Sequence, residues 1–327
     1  MPMDRLFSGL TNKPDIVLFI TDEQRAPPPY QTPEVTEYRK QFFKAETHLK
    51  ENGLSFVNHY IASSACVPAR ASLLTGQYPS LHGLNQTNGG AKEANDPDMT
   101  WLSSEDISTL GHRAQALGYD TTWIGKFHLV EKDILKEDGS LLHPKPFGKP
   151  AVSEDVAYYQ ERNLLQEFGF NKWVGPEPHG AHPANTGYNR DPDSTNQFIA
   201  HMDELDRQSS NRKPQLIVVS YVNPHDEVLF PLLTAATGIP FYEPQVPLVP
   251  MPPTFRKDLS QTPRIQREYH ALYQQMFTPD VLNGVLRIPT WFKPIMTLFT
   301  FLPVLQLAMQ YQTQGKVSSR EVVSLGI

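Results

Sequence analysis

Two short apolar runs set the rhythm of the chain. Residues 15–20, Asp-Ile-Val-Leu-Phe-Ile, and 216–221, Leu-Ile-Val-Val-Ser-Tyr, are nearly unbroken apolar stretches of strand length. Runs without polar alternation predict strands buried on both faces of a parallel sheet. Residues 119–124 predict another strand, entered from a helix over 106–117 that Gly118 closes. Helical spacing recurs over 37–52, 154–167, 194–207 and 265–276, and a further strand is predicted at 54–60, just after Gly53. Strands alternating with helices give an α/β fold, a mostly parallel sheet sandwiched between helices.

Bulk properties narrow the picture. A chain of 327 residues can bury a substantial core in one or two domains. Its net charge is −6, with both signs interspersed and no basic run, which argues against a nucleic-acid surface. The thirty prolines gather in 27–33, 144–150 and 240–253, where they mark extended loops. No apolar core of signal-peptide length precedes the first strand, so the expected location is cytoplasmic.

Polar chemistry collects just after the apolar runs, at the carboxyl ends of strands, where ligands bind in open α/β sheets. Asp22 and Glu23 follow the first run, Lys126 and His128 the 119–124 strand, and His225 the 216–221 run. Lys126 and His128, two apart on an extended segment, face the same side. The single cysteine, Cys66, excludes an intramolecular disulfide and a cysteine-based metal cluster. Alone, it reads as a small buried hydrophobe. Pro68 suits a first helical turn and Gly76 a helix end, so Cys66 is expected just ahead of a helix N-terminus, a place that favours an anion. Arg70, in the first turn, can turn its guanidinium back toward residue 66. Residues 130–190, rich in Pro, His and Gly, read as an insertion over the site.

Two longer patterns carry a family resemblance. Cys66 to Gly76 matches Cys-x-Pro-(Ser/Ala)-Arg-x-x-x-Leu-Thr-Gly at every fixed position, and Gly118 to His128 matches Gly-Tyr-x-Thr-x-x-x-Gly-Lys-x-His. The chain resembles the type I sulfatases of the alkaline-phosphatase-like superfamily, over roughly residues 14–277. That resemblance implies hydrolysis of sulfate monoesters, either small-molecule or sugar sulfates. It implies a formylglycine made from Cys66 by a separate formylglycine-generating enzyme, its hydrated form attacking sulfur. It also implies a divalent metal, calcium or else manganese or magnesium, held by Asp22, by residue 66 and at the second acidic position by Glu23. Arg70 would hold the formylglycine oxygen, Lys126 and His225 the sulfate, and either His128 or His225 could transfer protons. A phosphonate monoester or phosphodiester hydrolase of the same superfamily, or a non-catalytic relative, are the alternatives.

The family pattern next calls for a strand ending in Ser-Asp-His-Gly or Ser-Asp-Asn-Gly, with the remaining metal ligands. Residues 277–327 contain neither, so the fold is expected to be C-terminally incomplete. The expected division is a catalytic domain over 1–287 and an apolar tail over 288–327. Residues 288–309 have the roughly 20-residue length of a membrane helix, but Lys293, Gln306 and three prolines argue against membrane insertion.

Overall fold

The computed structural model describes residues 13–88, 96–105, 107–130, 153–175, 177, 187–208, 212–225, 253–254 and 257–276. They fall into two compact units, one drawn from Met1–Gln24 with Ile61–Glu227 and the other from Arg25–Tyr60 with Val228–Ile327. The expected boundary at 287 and the apolar tail lie outside the described residues.

Among the described residues the first unit is built on a sheet of four strands, β1 (Ile16–Asp22), β2 (Asp120–Gly125), β3 (Lys172–Val174) and β4 (Gln215–Pro224). Their order is β1-β4-β2-β3, and every pairing is parallel. Side chains alternate across this sheet, so each strand feeds two cores. On one face Leu216, Val218 and Trp123 pack with Val67, Ala71 and Leu74 of α3 (Cys66–Thr75) and with Ala114 of α5 (Leu110–Ala116). On the other, Ile217, Val219, Ile124 and Val174 pack with Phe198, Met202 and Leu205 of α7 (Gly187–Asp206). Helices therefore cover both faces, as the sequence pattern predicts. A short helix, α4 (Pro79–His82), and a longer one, α6 (Ser153–Arg162), also belong to the unit.

Two strand expectations need correction. β1 is not buried on both faces: Ile16 is 44% and Phe19 46% exposed. The reason is its place in the sheet, since among the described residues it pairs with β4 alone. Residues 54–60 form no strand but an exposed loop, with Leu54 and Val57 in solvent. An apolar run becomes a strand only beside a partner edge, and among the described residues this run has none. The three-residue strand β3 is too short to leave a periodic signal.

The second unit contains α1 (Pro33–Phe42) and α2 (Lys44–Asn52), where one helix was expected over 37–52. Thr32 caps α1, its hydroxyl accepting the Val35 N–H, and Pro33 occupies the first helical position. Arg39 of α1 meets Glu46 of α2 at 3.2 Å. The helix Arg264–Met276 also belongs to this unit. Among the described residues no helix is long and apolar enough to cross a membrane.

Candidate active site

All the candidate residues lie in the first unit, on the carboxyl rim of its sheet. β1 delivers Asp22 as its last residue, opposite Pro224 of β4, and a register irregularity separates that pair from the regular ladder ending at Ile20 and Ser220. The irregularity frees backbone donors near the end of β4, and Asp191 of α7 takes them. Its two carboxylate oxygens accept the N–H groups of Val222 and Asn223 at 2.7 and 3.0 Å. That clamp fixes the strand end from which His225 projects.

β2 ends at Gly125, where the chain must turn sharply. Gly125 has φ +83°, and a Cβ there would fall 2.3 Å from the Ser220 carbonyl oxygen, so no other residue fits. The turn lets the Lys126 N–H reach that same carbonyl at 3.0 Å. The Lys126 carbonyl then accepts from Trp123 Nε1 and Arg70 Nη1 at 3.2 and 2.9 Å, and Glu177 accepts the Phe127 N–H. The backbone of Lys126 is thus held on three sides, and its ammonium takes one direction from it.

That direction is Asp22. Lys126 Nζ lies 2.5 Å, and Arg70 Nη2 3.1 Å, from Asp22 Oδ2, with all three side chains almost wholly buried. Arg70 Nη1 also donates to Ser220 Oγ at 3.0 Å. Burial by itself would push the Asp22 carboxyl up, but the charges of Lys126 and Arg70, helped by His225, outweigh it and hold the carboxyl at about 2. Two cations against one carboxylate leave a surplus positive charge.

Cys66 meets this cluster from α3. It is the first residue of the helix rather than just ahead of it, Ala65 serving as the cap, and Gly76 closes the helix in the left-handed conformation. Its thiol donates to Asp22 Oδ1 at 3.8 Å and is half-buried. Arg70 and Cys66 share this carboxylate, the guanidinium on Oδ2 and the thiol on Oδ1. Behind the helix, His82 Nε2 lies 3.0 Å from Ser72 Oγ, and His82 Nδ1 accepts the Leu84 N–H, tying α3 to the segment after α4.

Asp22, Cys66, Arg70 and Lys126 are thus in direct contact, and His225, half-buried, is near enough for its charge to act on Asp22. His128 is buried two residues beyond Lys126, with φ +61° and its Nε2 2.6 Å from Asn88 Oδ1. Glu23 differs. It has φ +65° and its side chain is exposed to solvent. Ser220, Asp191, Glu177 and Asn88 were not singled out from the sequence. Only Ser220 left a signal there, as a hydroxyl inside an apolar run.

A calcium-type ion takes six to eight oxygens, carboxylates prominent among them. Among the described residues no three His, Cys, Asp or Glu side chains gather as a metal cluster. Asp22 Oδ2 already faces two cations and Oδ1 faces the thiol. The described residues by themselves do not fit such an ion.

The sequence model of the sulfatase family matches residues 14–278. Human N-acetylglucosamine-6-sulfatase is 31% identical over 119 residues, 36% of this chain and 19% of that protein. Choline-sulfatase of Rhizobium meliloti (strain 1021) is 28% identical over 192 residues, 54% of this chain and 32% of the relative. A 2-O GAG sulfatase of known structure aligns with a TM-score of 0.47 and 19% identity, covering 89% of this chain and 55% of that one. The matches span less than a third of the length of either curated relative.

Proposed function

The chain belongs to the sulfatase family, and we propose that it hydrolyses sulfate monoesters, sugar sulfates among them, through a nucleophile made from Cys66. The observation that carries this reading is the convergence of Cys66, Arg70 and Lys126 on the buried carboxylate of Asp22.

Converted to formylglycine by a generating enzyme, residue 66 supplies a hydrated aldehyde as the oxygen nucleophile toward sulfur. The rest is the work of this chain's own side chains. The surplus positive charge of Arg70 and Lys126 over Asp22 favours an anionic sulfate at the rim. The N-terminus of α3 adds its dipole in the same place. Asp22, kept ionised by its two partners, accepts from the group at position 66 and orients it. The Arg70 guanidinium, tied to Ser220 and to the Lys126 carbonyl, holds its geometry while the sulfate binds and leaves. Proton transfer to the departing alkoxide falls to the imidazoles of His128 and His225. No step is assigned to a metal.

The test is labelling with a hydrazide probe together with an aryl sulfate assay, on the chain produced alongside a formylglycine-generating enzyme. Wild type is expected to label and turn over, and Cys66→Ala to lose both. Undiminished turnover in Cys66→Ala would eliminate the mechanism. Preference for a phosphonate monoester or a phosphodiester in the same assay would replace the substrate class.

A further inference from the structure

His128 is buried, and its Nε2 lies 2.6 Å from the side-chain oxygen of Asn88. A carboxamide oxygen has no hydrogen to give, so a bond this short requires the proton on Nε2. A neutral ring protonated there carries its lone pair on Nδ1. That atom is closed off from solvent.

Asn88 is itself held in place. Leu84 is buried a few residues before it, and His82 anchors the start of the segment to Ser72 of α3. Gln86 Nε2 reaches the Asp98 carbonyl at 2.7 Å. The carboxamide is therefore presented from a segment pinned to the same helix that carries Cys66.

We propose that Asn88 is a positioning residue for His128. Its Oδ1 fixes the Nε2–H tautomer and leaves Nδ1 as the nitrogen that takes a proton from the hydroxyl at position 66, becoming imidazolium, and passes it to the departing alkoxide oxygen. The Nε2–H bond to Asn88 persists through both states, so the ring does not rotate between them. A single buried hydrogen bond of ordinary strength biases the two tautomers on the order of tenfold. The use made of that proton rests on the sulfatase reading, whereas the tautomer does not.

Histidine-selective 15N labelling of the full chain, with the His128 signal assigned through His128→Gln, reads the tautomer directly. Wild type is expected to show the Nε2–H form. Asn88→Leu is expected to lose that bias, and Asn88→Asp, which keeps an acceptor opposite Nε2, to retain the proton there. On an aryl sulfate, Asn88→Leu is expected to lower kcat about tenfold with KM nearly unchanged, and Asn88→Asp to recover part of the loss. An Nδ1–H tautomer in wild type overturns the proposal, and that readout needs no variant to fold. An unchanged tautomer in Asn88→Leu overturns it too. The expected tautomers in a chain without sulfatase turnover would support the Asn88 assignment and sink the hydrolase reading alone.

Discussion

Lys126 Nζ and Asp22 Oδ2 lie 2.5 Å apart, although 104 residues separate them in the chain. The pair joins the ends of two strands that are not neighbours, since β4 runs between β1 and β2. It reaches across the rim of β4, and Arg70 braces it from α3. The sheet's rim is thus cross-linked by charge at the point where the chemistry is placed.

Asp22→Ala leaves two buried cations without a carboxylate, and breaking a buried pair in this way costs about 3–5 kcal/mol. Lys126→Met leaves Asp22 with Arg70 and costs less, about 1–3 kcal/mol. Urea denaturation of the two variants is expected to rank them in that order. A more severe loss for Lys126→Met would show that the ammonium has a larger structural role than the carboxylate.

Gly125→Ala places a methyl against the Ser220 carbonyl at a backbone angle that alanine adopts poorly. The expected destabilisation is roughly 2–4 kcal/mol, visible as a lowered thermal midpoint. Because the same turn aims Lys126, turnover should fall further than the fraction folded. A variant as stable as wild type would mean that the turn relaxes without cost.

His82 is held neutral: burial lowers its pKa below the ordinary 6.5, against the pull of its backbone hydrogen bonds. Its stabilising contribution is therefore complete above about pH 6.5 and is lost as pH falls from there toward the folded-state value. His201, also lowered by burial, contributes with the same sign. The discriminating measurement is the stability of wild type against His82→Gln, which retains His201, at pH 7.5 and pH 5 (about neutral and mildly acidic conditions, on either side of an ordinary histidine pKa). The difference between them should shrink on acidification. A constant difference would show that His82 titrates as it does in the unfolded chain.

The resemblance implies calcium, and the described donors do not make a calcium cradle. Millimolar calcium is accordingly expected to raise Tm by less than about 1–2 °C. A rise that saturates at micromolar calcium would show that residues beyond the described set complete the coordination shell, and the ion would then enter the mechanism.

Much of the site was legible because its signals are local. Pro68 and Gly76 mark the first turn and the end of α3, and β2 and the largely apolar β4 stop where Lys126 and His225 begin. Caps, breakers and burial patterns act over a few residues and so can be read without a partner in view. The placement of Asp22, Cys66, Lys126 and His225 on one rim follows from parallel strands sharing a direction. Tertiary structure alone decided the remainder. β1 looked like a central strand because an apolar run records burial tendency, not the number of neighbours. Residues 54–60 looked like a strand because the run does not record whether an edge lies beside it. That Arg70 and Cys66 share the Asp22 carboxylate, one on each oxygen, depends on residues 44 and 48 positions apart. Asn88 on His128, Glu177 on the Phe127 amide and Asp191 on the end of β4 left no trace in periodicity. Each is a polar group that finds its partner across about 30 to 50 residues of chain, and only the packing of the sheet against its helices brings such groups within hydrogen-bonding distance.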